Sequence, residues 1–228
     1  MRHVVRVLWQ PRATMAEVTR RPAFIMTWIV LLLVSTLCGG WLLSTTIGQQ
    51  ALVDERVQMV EAVGGRVDDA AYARLQANPP LLAYVTSGGR LMLTPVITAL
   101  VAAGLMGLTA FDGHGVRYRV ALAATVHASV VLAVQQIVAT PIHYVRESLT
   151  SATTLAWLLP GLEQGTWLAR LLGSVDVFGL WWVWLLAVGL TAATGHPVRR
   201  YVWRLLVVYV AIAAVVATVF AVMGSKGI

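Results

Sequence analysis

The chain has 228 residues, 58% of them hydrophobic and only 12% charged, with a mean hydropathy of +0.76. A soluble domain carries about 25% charged residues, so a water-soluble globular class is excluded and a polytopic α-helical membrane protein is expected. The formal charge is +7, but the arginines stand at the ends of apolar runs. They therefore point to topology and anionic lipid, not to nucleic acid. The single cysteine, Cys38, excludes an internal disulfide and any cysteine-based metal site. It lies within the first apolar run, where a buried thiol is the default. Leu37 in front of it argues against a lipoprotein cleavage site.

Residues 1–22 form a basic prelude with Arg2, Arg6, Arg12, Arg20 and Arg21 against one acid, Glu17. Val4, Val5, Val7, Leu8 and Trp9 give its opening turns an apolar side, and Pro11 interrupts them. Thr14 to Glu17 has capping-box spacing, which predicts a second short helix starting there. Two interfacial helices are expected, apolar side in the headgroup zone and arginines toward anionic lipid. A cleaved signal peptide is the alternative, but no small-residue cleavage site closes the next run.

Pro22 opens a first span over residues 23–47, with Trp28 and Trp41 near its ends as an aromatic belt requires. From Gln49 to Pro80 charges return, and apolar residues recur at helical spacing around a break at Gly64–Gly65. This predicts an external helical hairpin (49–85), too short to bury a core of its own. The second span is expected over 91–111, with Ala99, Ala103 and Gly107 at intervals of four as a small-residue packing face. A short turn, Asp112 to Gly115, leads through Arg117 and Arg119 to a third span over 120–140, which Pro141 ends. That span carries His127, Gln135 and Gln136. Residues 155–172 are too short an apolar run to cross, so an interfacial or re-entrant segment is expected.

The stretch Asp176 to Arg204 organises the rest. It holds Trp181, Trp182 and Trp184 and no charge between Asp176 and Arg199, enough to cross a hydrocarbon core of about 30 Å. Asp176 stands where a carboxylate accepts from free helix N–H groups. Gly195 and Pro197 stop the helix, and a fifth span, 205–225, returns. A short turn makes the last two spans antiparallel neighbours, so Gly189 and Ala193 are expected to pack on Ala213 and Ala217. Leu190 is expected to face lipid or looser packing. The result is an all-α bundle of five transmembrane helices in a single domain, 23–225.

Ten arginines fall on the prelude and the two short turns of one side, whereas the other side has seven basic residues over longer loops and eight of the ten acids. By the positive-inside rule the N-terminus is cytoplasmic and the C-terminus external.

Three stretches carry a resemblance. They are Gln10 to Met15 ahead of Arg21–Pro22, the Gly113 to Arg119 turn, and above all Asp176 to Trp181 with Gly189–Leu190. In these, and in five spans with the N-terminus inside, the chain resembles the Yip family of Rab-interacting membrane proteins, in its bacterial branch. The resemblance implies an inner-membrane protein without defined catalytic residues. Eukaryotic members look like adaptors for small GTPases, and bacterial relatives like accessory subunits of transport systems.

No nucleophile elbow, HExxH motif or phosphate loop is present, and neither a cofactor nor a metal is expected. His114, Asp112 and His143 would make a metal site only on one membrane face, which the topology denies them. His127 and Gln135 share a helix face. Interhelical hydrogen bonding is the plain reading and a proton or solute path the sharper one. The leading expectation is a non-enzymatic scaffold or accessory subunit, contacting the lipid bilayer and either a membrane partner or its own copies. A small transporter or channel component using His127, Gln135 and Gln136 is the alternative.

Overall fold

The computed structural model describes residues 2–151, 153–156 and 166–224. In chain order the helices are α1 (Arg2–Trp9), α2 (Pro11–Arg20), α3 (Ile25–Ser44), α4 (Thr46–Ala62), α5 (Asp69–Gln76), α6 (Pro79–Phe111), α7 (Tyr118–Ala128), α8 (Val130–Arg146), α9 (Trp167–Gly173), α10 (Val177–Thr194) and α11 (Val198–Gly224). Among the described residues the fold is all-helical, and five helical stretches are long and apolar enough to cross a membrane: α3, α6, α7 with α8, α10 and α11. The chain is a multi-pass membrane protein.

Residue contacts divide it into two compact units, each drawn from three separate segments. Unit 1 takes residues 1–35, 90–135 and 178–209, and unit 2 takes 36–89, 136–177 and 210–228. The division separates the charges. Unit 1 holds eleven arginines and two acids by sequence, and unit 2 holds five arginines, one lysine and eight acids.

Unit 1 is built around α7 and α10. A helix buried on all sides lies inside a bundle, and both qualify: Ala121 to Ala128 are buried without a break, as are Leu185 to Leu190. Gly189 lets the two approach. A Cβ there would meet the Ala124 Cβ at 3.0 Å and the Met15 sulfur at 3.5 Å. The Gly189 face is thus turned to α7 and α2, where the sequence pointed to Ala213 and Ala217. Leu190, expected against lipid, is 1% exposed and part of the core. A short turn between α10 and α11 limits their separation but leaves open which face each presents.

The prelude also contributes to this core. Helices α1 and α2 pack on each other and on α7, and Val7 and Met15 are fully buried in the cluster. Val5 and Trp9 remain outward. Pro11 stands in the first turn of α2, where its missing N–H is no loss. The helix therefore starts three residues before Thr14, and the expected capping box does not form. Thr14 is fully buried within the helix.

The third span is two helices meeting at Ser129. The Ser129 hydroxyl donates to the Thr125 carbonyl at 2.9 Å, the back-bonding that bends helices. The Trp182 indole N–H then donates to that hydroxyl at 3.2 Å, tying the junction to α10. Pro141 does not end the span. Helix α8 runs through it to Arg146, and Glu147 takes the left-handed conformation with φ 52°. An interior proline removes one hydrogen bond, a loss a membrane helix tolerates.

Unit 2 contains the hairpin. Thr45 caps α4 by accepting from the Gly48 N–H at 3.0 Å, and Asp68 caps α5 from the Ala71 N–H at 2.7 Å. Only glycine fits at 48, since a Cβ would stand 2.0 Å from the Leu42 carbonyl oxygen. Leu43, Leu52 and Ala83 form a small buried cluster with Leu82 and Leu149 against it. The hairpin thus borrows its core from neighbouring helices, as its length requires. Arg56 donates to the Thr86 hydroxyl at 3.2 Å and Gln50 to the Tyr72 hydroxyl at 3.2 Å. Residues 79–85, expected in the hairpin, belong instead to α6. That helix is 33 residues long, about 50 Å at 1.5 Å per residue, against a hydrocarbon core of about 30 Å. Cys38 is half-buried, not enclosed.

Of the expected re-entrant stretch, residues 157–165 lie outside those described. Its end is the short helix α9, whose Trp167 indole donates to Thr218 at 3.1 Å. Thr154 and Asp176 form an isolated antiparallel bridge. The Asp176 carboxylate accepts from the Thr153 and Ser151 hydroxyls, a role the sequence gave no hint of.

Candidate functional site

A polar constellation lies in unit 1, where the α6–α7 turn faces the α10–α11 turn. Gly113 and Gly195 hold φ values of 75° and 79°, left-handed conformations that glycine adopts without cost. Thr109, buried on the last turn of α6, shapes the first turn. Its carbonyl accepts from His114 N–H at 3.1 Å and its hydroxyl from Val116 N–H at 3.3 Å.

Asp112 is the focus. Its side chain is 5% exposed and receives Arg200 at 2.9 Å and Arg204 at 2.6 Å. The two arginines are four apart, so they share a face of α11. The hydrogen bond from Arg204 holds the Asp112 carboxyl below its ordinary value of 3.8, against the opposing push of burial and with help from the charge of Arg200. Beside it, His114 Nδ1 lies 2.8 Å from the Asp112 carbonyl, and His196 Nε2 lies 3.3 Å from His114 Nδ1, the rings edge-on at 4.4 Å. Tyr201, fully buried, donates to the Thr194 hydroxyl at 2.9 Å. An open cleft of about 490 Å³ adjoins the knot, lined by Thr19, Arg20, His114, Gly115, Val116, Arg117, Val120 and Ala192 to Thr194.

The sequence reading weighed Asp112 and His114 only as metal ligands with His143. His114 falls in unit 1 and His143 in unit 2, and no group of three His, Cys, Asp or Glu gathers among the described residues. A visible signal was missed: Asp112 is the lone acid between Arg90 and Glu147, and Arg200 and Arg204 stand one helical turn apart.

The intramembrane polar residues are not brought together. His127 is 1% exposed, with Nδ1 at 2.8 Å from the Ala123 carbonyl and Nε2 at 3.1 Å from the Thr27 hydroxyl. A carbonyl can only accept, so Nδ1 carries a proton. Gln135 is half-buried and Gln136 exposed. The small-residue strip of α6 is not its buried side. On α6 the buried side is Thr98, Ala102, Leu105 and Thr109, while Ala103 is exposed and Ala99 and Gly107 half-exposed. Among the described residues nothing lies within 4 Å of a Cβ placed on Gly107. Ala193 lines the cleft, and Ala213 and Ala217 are buried in unit 2.

A family model, Yip1 domain, matches residues 5–223. The chain belongs to the Yip1-domain family. The match starts in α1 and ends in α11, so the prelude, the Asp112 knot, the hairpin and all five spans are parts of the Yip1 domain. No curated protein and no solved structure matches the chain.

Proposed function

We propose that this Yip1-domain protein is a non-enzymatic scaffold or accessory subunit of another complex, such as a transport system, in a bacterial inner membrane. The observation that carries this reading is on α6. The strip Ala99, Ala103 and Gly107 stands outside the packed core, and among the described residues Gly107 has no neighbour on it. Small residues at intervals of four let another helix approach closely, which is how helices associate where lipid offers no hydrophobic drive.

Orientation follows from the charges. The ten arginines of the prelude and of the α6–α7 and α10–α11 turns belong on the cytoplasmic side by the positive-inside rule. This puts α1, α2 and the Asp112 knot inside, and the hairpin and C-terminus outside.

The buried His127 supports a packing role over a proton or solute path, since both ring nitrogens have protein partners. The test is purification from native membranes in mild detergent. A stoichiometric membrane partner, lost on Gly107→Leu, is the expected result. A lone homo-oligomer that conducts or takes up solute in vesicles would replace this reading with the transport one.

A further inference from the structure

We propose that the cleft beside the Asp112 knot binds a phosphate-bearing anion, held by the guanidinium groups of Arg20 and Arg117.

The charge count in unit 1 comes first. Its only two acids are Glu17 and Asp112. Glu17 pairs with Arg6 at 3.4 Å, and Asp112 is taken by Arg200 and Arg204. Arg20 and Arg117 line the cleft, and neither has an ion pair or side-chain hydrogen bond among the described residues. Two arginines therefore line one concavity, and each carboxylate of the unit already holds another arginine. The cleft's volume, about 490 Å³, lies within the roughly 300–1,000 Å³ of small-molecule sites.

The chemistry of the lining suits a phosphate. Guanidinium groups present planar forks that match phosphate oxygens two at a time. Gly115 puts no side chain in the way. Helix α7 opens at the cleft with Arg117 as its cap residue and no side-chain cap bond, so its first amides and its positive dipole end add to the field. The lining hydroxyls are already committed, Thr19 to the Ala16 carbonyl and Thr194 to the Leu190 carbonyl, so recognition falls to the two arginines. A phospholipid headgroup and a soluble phosphate ester share this chemistry.

The test uses the full-length protein in phosphatidylcholine nanodiscs. One arm titrates phosphatidylglycerol into the disc, scored by lipid retained in native mass spectrometry. The other adds glycerol phosphate from solution, scored by calorimetry. Saturable binding in at least one arm is expected, weakened about tenfold or more in Arg20→Gln/Arg117→Gln and unchanged in Arg66→Gln/Arg74→Gln. Response in the first arm alone assigns a lipid headgroup, and response in the second assigns a soluble ester. If the double glutamine variant fails to fold, Arg20→Lys/Arg117→Lys replaces it, with a smaller but measurable loss. No saturable binding in either arm overturns the proposal. So does equal weakening by the Arg66/Arg74 variant, which would reduce the effect to net charge.

Discussion

Arg204 and Asp112 stand 92 positions apart in the chain and 2.6 Å apart in space, Nη1 to Oδ1. With Arg200 they clasp the exit of α6 to the entry of α11, pinning two turns that the backbone does not otherwise connect. Asp112→Asn should lower the melting temperature in detergent, because it leaves two guanidinium groups facing each other without their anion. Glu61→Gln, an exposed acid of α4, should leave it unchanged. Equal melting of the two variants would mean the clasp contributes nothing.

The same pair fixes a pH dependence. The Asp112 carboxyl is held below 3.8, chiefly by the hydrogen bond from Arg204. A depressed carboxylate stabilises the fold fully above its unfolded value, and that stabilisation is lost as pH falls through the folded value. From about pH 5 to 8 the clasp should therefore be constant, and the melting temperature should fall only in acid below 3.8. Asp112→Asn should flatten that acid limb. An acid limb of the same depth in the variant would assign it to other carboxylates.

At Gly189 helix α10 lies against Ala124 of α7, where an added Cβ would stand 3.0 Å from the Ala124 Cβ. Gly189→Leu should cost about 1–3 kcal/mol through overpacking, and Gly189→Ala less. Ala124→Gly should recover most of the Gly189→Ala loss, since it removes the atom 3.0 Å away. Leu190→Ala should cost about 2–5 kcal/mol, because the side chain is in the core. Melting curves of the four variants, with the double-mutant cycle, decide the pairing. A null coupling between 189 and 124 would refute it.

The five apolar spans, the break at Gly64 and the end of α10 were legible because each rests on local signals. Those signals are hydropathy, Gly195 with Pro197, and Gly64. What escaped depends on rotation of a helix about its axis. Uniformly apolar α10 has no polar side to orient it, so nothing in its sequence told Leu190 from a lipid-facing leucine. The same blindness hid the buried side of α6, where threonines 98 and 109 face inward and the alanine–glycine strip does not. A membrane helix satisfies its threonines on its own carbonyls, as Thr98 does on Thr94 at 2.8 Å, so polarity ceases to report exposure. The Asp112 knot joins residues about ninety apart, beyond any spacing rule.

Thr14 offers a gain of stability. Its hydroxyl is buried with no hydrogen-bond partner among the described residues. Thr14→Val keeps the shape and removes the unsatisfied group, so melting should rise by the equivalent of about 1–3 kcal/mol. Thr27→Val should do the reverse, by stripping His127 Nε2 of its partner. A fall in melting for Thr14→Val would show that the hydroxyl is bonded.

Topology has its own check. Reporter fusions after Arg20 and after His196 should register the cytoplasm, and one at Ile228 the exterior. An external signal after His196 would mean that the segment before α10 crosses the membrane too.

Each of the two units is assembled from three stretches that the other unit interrupts. Neither can be cut out of the gene as a continuous piece, so truncation cannot assign a property to one of them, and recombination cannot exchange one alone. A one-residue deletion inside any crossing helix turns everything beyond it by about 100°, unhooking one unit's packing from a change made in the other. The chain is therefore expected to tolerate insertions in its turns far better than in its spans, however featureless those spans look.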